Sequence, residues 1–311
     1  MHFKNILSIC NGMSCGNISL DAAGITYDNF YTSEIYNKAL ITEKALFPNN
    51  IQLGDVYKIN YNDIPKIDLL IGGTSCQNLS IAVVNNYSHN QGLEGEKSKL
   101  FYEYLNLKKI LKPKYFLLEN VASMRNSDRD IISKLLEVEP VMLDSANFGA
   151  QDRKRYFWTN FPIKESPNSA KVLNDIVLDT KDVASKYWYD KDFIYNGDDA
   201  KIQCTLGING HDILKRVHNL NNKCGTLTTC TGGNQQKKVF QNGKCRKLTP
   251  YEYGLLQNVD KDILKKMFDL EFADGHYYSL FGNGWDIKVL THIFKSLKDI
   301  GEFNESDKST A

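Results

Sequence analysis

The chain has 311 residues, 42% of them hydrophobic and 24% charged, with a net charge of +1. That balance supports a sizeable core and excludes a disordered, collagen-like or strongly charged chain. The first apolar run, about five residues within "MHFKNILSICNG", is shorter than a signal-peptide core of seven or more and far short of a membrane span of roughly 18, so a cytoplasmic protein is expected, nuclear in a host with a nucleus, with no membrane partner.

In chain order, short apolar runs alternate with helical patterns up to about residue 160. They are "ILSIC", a helix over 16–23, "FYTSEI", a helix over 36–46, "IQLGDV", "DLLIGG", a helix near 97–110, "YFLLEN", a helix near 127–137, "PVMLDS" and "RYFWTN". Strand alternating with helix predicts an α/β fold with a doubly wound, mostly parallel sheet. Ligands of such sheets bind beyond the carboxyl ends of the strands. Those ends carry Asn11-Gly12, Glu34, Asp55, Gly73 to Gln77 and Glu119-Asn120. Glycine and asparagine end strands simply by making turns, but together these ends set glycine-bordered loops, carboxylates and Cys76 along one edge. Gly12 and Gly16 would let the backbone approach a ligand closely, Glu34 would accept from ribose hydroxyls and Asp55 from an adenine amine. That is a nucleoside-cofactor site, although "CNGMSCG" lacks the G-x-G-x-x-G spacing of a nicotinamide dinucleotide fold.

Between about 163 and 245 the rhythm stops. Residues 201–250 hold nine Lys or Arg against one acid, Asp212, a segment of the kind that meets phosphate or simply forms a solvated face. After 245 helical patterns return in "LTPYEYGLLQ" and "WDIKVLTHIFKSL". The expected organisation is a catalytic domain over 1–162, a recognition region over 163–245, helices over 246–303 that return to the catalytic domain and bring Trp285 to its amino-terminal loop, and a disordered tail over 304–311. The seven cysteines show no C-x-x-C pair, so neither a disulfide framework nor a metal site is expected. A buried, inert thiol is the ordinary reading of each.

The motif order resembles that of the DNA (cytosine-5) methyltransferases, with wording similar to the catalytic domain of the eukaryotic de novo enzymes. "ILSICNGMSCG" resembles the family's cofactor loop, "GGTSCQNLS" its nucleophile loop, "FLLENV" its Glu-Asn-Val motif, "AQDRKRYFW" its Gln-x-Arg-x-Arg motif, "RKLTPYEYGLLQ" a later bracing helix and "LFGNGWDIKV" its final Gly-Asn segment. The chain departs from the family at Cys10, Asn11 and Ser75, where phenylalanine, aspartate and proline are usual.

The resemblance implies a class I S-adenosylmethionine-dependent fold, S-adenosyl-L-methionine as cofactor and double-stranded DNA as partner. It implies catalysis by Cys76, Glu119, Arg153 and Arg155. Cys76 would add to C6 of a flipped-out cytosine while protonated Glu119 hydrogen-bonds N3. The two arginines would share one face of a strand, with Gln151 on their side. Cofactor contacts are expected from Asn11, Gly12, Met13, Ser14, Gly16, Glu34, Asp55, Val56, Leu100, Asn283 and Trp285. Nucleic-acid contacts are expected from Gln77, Asn78, Gln151, Thr228, Thr229, Gly232, Gly233, Asn234 and Gln235, with phosphates on Lys237, Lys238, Lys244, Arg246 and Lys247. Residues 77–99 would form the loop that closes on a rotated base.

Two rivals stand beside this reading. Methyltransferases of the same architecture that act on tRNA carry a Cys-Phe-Thr tripeptide, which is absent here. A silent nucleic-acid-binding homologue would have lost Cys76 or Glu119, and both are present. A stand-alone enzyme, monomeric or weakly self-associating, is expected, with a restriction endonuclease as candidate companion and an AT-rich bacterial or viral genome as source.

Overall fold

A computed structural model describes residues 1–74, 93, 99–230 and 233–309, with side chains described to residue 301. The chain gathers into two compact units, one made of 1–143, 154–166 and 289–311, the other of 144–153 and 167–288.

In the first unit, seven strands among the described residues form one sheet: β1 (His2–Ile9), β2 (Thr26–Ser33), β3 (Ile51–Gln52), β4 (Leu69–Gly73), β5 (Tyr115–Val121), β6 (Val141–Asp144) and β7 (Lys154–Thr159). Their order is β3-β2-β1-β4-β5-β7-β6. The pairs from β3 through β5 are parallel, and β7 runs antiparallel to β5. Helices α1 (Cys15–Ala23), α2 (Asn37–Leu46), α3 (Lys99–Leu111) and α4 (Asn126–Leu136) alternate with the strands, so the expected doubly wound, mostly parallel architecture is present. β5 is buried at every position and β4 at all but its last, which is why the runs that open them, "YFLL" and "LLI", are continuously apolar rather than alternating. Gly72 lets α3 approach β4: a Cβ there would lie 2.5 Å from Tyr104.

The strand order reverses between β1 and β4, which makes their carboxyl ends the switch point of the sheet. Ile9 pairs with Ser33 on one side and Gly72 on the other, and Gly72 pairs in turn with Leu118. The residues that follow, Cys10, Glu34, Gly73 and Glu119, therefore share one edge. The run "IQLGDV" supplies only two strand residues. Gly54 turns the chain with a φ of +76°, and the Asp55 carboxylate caps a short turn at Val56–Lys58 through the Tyr57 N–H.

In the second unit, α5 (Asp212–Lys215) accompanies β8 (Phe193–Tyr195), β9 (Ile202–Leu206), β10 (Arg216–His218), β11 (Lys238–Gln241) and β12 (Lys244–Lys247), which form a sheet ordered β12-β11-β10-β9-β8. Cys204, Leu206, Val217 and Cys245 make its small core. Helices α6 (Pro250–Leu256), α7 (Lys261–Phe268) and α8 (Asp274–Asn283) belong to this unit, whereas the sequence alone places residues 246–303 with the catalytic domain. The physical reason is the buried polar bracing by Gln151 and Arg153 described below. From residue 289 the final helix, α9 (Ile287–Ser309), belongs to the first unit and buries Val289, Leu290, Ile293, Phe294 and Leu297 at helical spacing. It continues to Ser309, through residues that read from the sequence as a tail. No helix among the described residues is long and apolar enough to cross a membrane.

Candidate active site

The loop after β1 is tightly wound: Cys10, Gly12 and Ser14 have φ of 54°, 55° and 65°. The N–H groups of Cys10 and Asn11 donate to Ser33 O, and that of Gly12 donates to Glu34 Oε2 at 2.8 Å. Met13 and Ser14 are fully buried and Gly16 lies inside α1, so the loop is anchored by its own contents. Glu34, half-buried, also accepts from the N–H groups of Ile35 and Tyr36 at 2.8 Å through Oε1. Asp55 caps the turn that follows it, Val56 is buried, and Leu100 packs from α3 on the apolar core. Asn283 and Trp285 lie in the second unit.

These residues suit a nucleoside cofactor. A carboxylate has about four acceptor directions; the described residues occupy three on Glu34, leaving one on Oε2 for a ribose hydroxyl. Asn11 Oδ1 is buried without a hydrogen-bond partner among the described residues, an unmet acceptor that native interiors seldom tolerate without a ligand or water. An aspartate at position 11, as in the family's usual wording, would face the Glu43 carboxylate, which lies 3.1 Å from Asn11 Nδ2. The amide converts that repulsion into a hydrogen bond.

Beyond β4 and β5 the geometry concerns the acid. Glu119 is 7% exposed and pairs in register with Gly73. Arg155 reaches it diagonally across the antiparallel pair, Nε to Oε1 at 2.9 Å. Asn120 is buried beside it, donating its Nδ2 to both the carbonyl and the Oγ1 of Thr74 at 3.2 Å while its Oδ1 accepts from the Val121 N–H. Cys76, Gln77, Asn78 and most of the expected closing loop lie outside the described residues, as does Gly232.

Burial raises the thiol pKa of Cys204, Cys224, Cys230 and Cys245. Burial together with the Glu34 charge pushes Cys10 up to about 12. A thiol so held is a poor nucleophile near neutral pH.

Four expected contact residues are instead internal braces. Gln151, fully buried, donates to Leu256 O and Gln257 Oε1 and accepts from the Leu227 N–H at 2.9 Å. Arg153 stands directly before β7, its backbone N–H donating to the Asp144 carboxylate and its carbonyl accepting from the Ser145 N–H. The residue is 4% exposed, and its guanidinium donates to the carbonyls of Leu227, Gly282 and Gly284. Lys238 Nζ donates to Asn234 O and Gln236 O, and its pKa is pushed down to about 8 by burial and then by Lys237 and Lys247. Arg246 forms a wholly buried pair with Glu252 at 2.6 Å, and that carboxylate also completes the capping box of α6 with Thr249.

The braces hold the candidate reading loop. Thr228 and Thr229 follow immediately after the braced Leu227, with Thr228 and Thr229 reaching toward solvent, and Gly282 admits their backbone, since a Cβ there would lie 2.5 Å from the Thr228 carbonyl. Gly233 turns with a φ of +64°, Gln235 is exposed, and Asn234 Oδ1 accepts from the Tyr189 hydroxyl. Lys244 is exposed, and Lys237 and Lys247 are half-buried.

Asn120, part of "FLLENV", anchors Thr74, a role that the motif alone does not signal. Glu43 is a second such residue, accepting from Asn11, Thr32, Asn50 and Gln52. A lone glutamate in a helical pattern carries no signal of such burial.

A family model described as C-5 cytosine-specific DNA methylase matches residues 4–299. The chain is 26% identical over 319 residues to the type II methyltransferase M.Bsp6I of a Bacillus strain, covering 94% of this chain and 98% of that protein. It is also 26% identical to M1.ScrFI of Lactococcus lactis, over 88% of this chain and 72% of that protein. Its fold resembles the Entamoeba histolytica methyltransferase EhMeth, with a TM-score of 0.71 at 16% identity over 95% of this chain and 98% of that one. It also resembles S. pombe Dnmt2, with a TM-score of 0.64 at 15% identity over 96% and 99%.

Proposed function

The chain belongs to the C-5 cytosine-specific DNA methylases, and on that membership we propose how its residues carry a methyl group to C5 of a cytosine in duplex DNA. The observation that carries the assignment is the register of Glu119 against Gly73, three residues before Cys76. The target base is rotated out of the stack, since its C6 is out of reach inside a duplex. Cys76, as thiolate, adds to C6; a thiol suits the task because it is nucleophilic near neutral pH and leaves readily. Glu119 hydrogen-bonds N3 and supplies a proton to the ring as C6 is attacked. Arg155 orients the Glu119 carboxyl and offers its guanidinium to the base O2. C5 is thereby made an enamine carbon. S-adenosylmethionine, when bound, supplies an electrophilic methyl group for that carbon. Loss of the C5 proton to a base, departure of Cys76 as thiolate and return of the N3 proton to Glu119 then restore the aromatic ring.

The cofactor would be held by the close backbone of Gly12, Met13, Ser14 and Gly16, by Glu34 at the ribose and by Asp55 and Val56 at the adenine, with Asn11 and Leu100 as further contacts. Thr228, Thr229, Gly232, Gly233, Asn234 and Gln235 would read base edges, each good hydrogen-bonded pair discriminating by about 1 to 3 kcal/mol. Gln77 and Asn78 would meet the DNA near the target. Lys237, Lys244 and Lys247 would meet phosphates. A restriction endonuclease is proposed as its companion; the two sequence relatives are named type II methyltransferases.

Bisulfite sequencing of DNA from cells expressing the chain reports both activity and site. A duplex carrying 5-fluorocytosine should trap the wild-type chain covalently when cofactor is present, and Cys76→Ser should neither trap nor turn over. Near-normal turnover by Cys76→Ser would overturn the assignment.

A further inference from the structure

Glu43 lies on α2, 4% exposed, amid neutral donors. Its Oε1 accepts from Thr32 Oγ1 at 2.6 Å and Asn50 Nδ2 at 3.3 Å, and its Oε2 from Asn11 Nδ2 at 3.1 Å and Gln52 Nε2 at 3.5 Å. Those donors sit after β1, on β2, on β3 and just before β3, so one carboxylate gathers the ends of three adjacent strands. The gathering continues outward. Asn11 precedes Gly12, whose N–H donates to Glu34. Gln52 Oε1 accepts from the N–H groups of Glu34 at 3.2 Å and Gly54 at 2.8 Å, the latter directly before Asp55.

We propose that Glu43 is a positioning residue that sets the spacing of Gly12, Glu34 and Asp55 for the nucleoside end of the methyl donor. The inference rests on reading this edge as the cofactor site. A buried carboxylate needs such donors to offset its desolvation, but stability alone does not require them to come from the three strand ends that carry the ligand-facing groups. Asn11 and Glu43 form a matched pair. An aspartate at position 11 would set two carboxylates against each other. A glutamine at position 43 would then restore a donor toward the new carboxylate and keep an acceptor for Thr32.

The test is isothermal titration of the full chain with S-adenosylhomocysteine, which binds without turnover, beside steady-state kinetics and thermal unfolding. Asn11→Asp should weaken binding about tenfold or more, and Asn11→Asp with Glu43→Gln should return it to within about threefold of wild type, a coupling in the usual range for contacting residues. The KM for S-adenosylmethionine should follow the same order while the KM for DNA stays put. Ser133→Ala, which removes a buried hydrogen bond to Trp158 elsewhere in this unit, should lower thermal stability and leave affinity unchanged. If Asn11→Asp does not fold, Glu43→Gln alone must weaken binding more than Ser133→Ala does. A double variant no better than Asn11→Asp, or a Ser133→Ala variant equally weakened, overturns the positioning role. A wild-type chain that binds no S-adenosylhomocysteine overturns the cofactor site itself.

Discussion

Arg155 Nε lies 2.9 Å from Glu119 Oε1, with both side chains sheltered from solvent. The contact fixes the rotation of a carboxyl at the end of β5. Glu119→Gln should keep the fold and S-adenosylhomocysteine binding while slowing the chemical step by about 10² to 10⁴, the usual worth of general acid assistance. Arg155→Lys should also slow it, because an ammonium does not reproduce the guanidinium fork. Single-turnover kinetics checks both; unchanged chemistry in Glu119→Gln would reduce the residue to an ordinary strand-end acid.

Asn120 binds both the carbonyl and the hydroxyl of Thr74, two residues before Cys76. Asn120→Ala should release that backbone and lower kcat by up to about 10²-fold, the scale on which small misplacements of reacting groups act. Affinity for S-adenosylhomocysteine should remain. Rates within about twofold of wild type would show that the anchor does not reach the nucleophile.

The cations near the reading loop divide into two kinds. Arg246→Ala leaves Glu252 charged and buried and should cost about 3 to 5 kcal/mol of stability, read from denaturant midpoints, with no change in the salt dependence of DNA binding per folded molecule. Alanine at Lys237, Lys244 or Lys247 should instead leave stability nearly intact and lower the log–log salt slope by roughly 0.9 each. An unaltered slope in all three would move the phosphate contacts elsewhere.

His218 supplies a pH dependence. Burial, reinforced by Lys237, Lys201 and Arg216, pushes its imidazole down from 6.5 to about 4. Above pH 6.5 both folded and unfolded chains carry it largely neutral. Between 6.5 and 4 only the unfolded chain takes up the proton, so stability falls as pH drops through that window, by up to about 3 kcal/mol. Urea midpoints at about pH 7 and about pH 4.5, one on each side of most of that window, should differ less for His218→Gln than for wild type. Equal differences would assign the acid sensitivity to other groups.

The sheet and its working edge were legible in the sequence. β4 and β5 are buried, so their apolar runs needed no partner to be recognised, and the polar residues that end them, Gly73 and Glu119, stand where a parallel sheet presents its ligand edge. Which polar side chains face outward was decided only by the tertiary structure. Gln151 is satisfied by residues 105 and 106 positions away, and Arg153 by carbonyls as far as 131 away. Spacing of two did not reveal that Arg153 serves backbone carbonyls while Arg155 serves Glu119. Lys238 and Arg246 read as part of a basic surface until backbone carbonyls and Glu252 enclose them, and nothing in the helical pattern around Glu43 signals the four donors that converge on it. Local pattern reports the period of the backbone. Burial of a charge depends on what the rest of the chain brings to it.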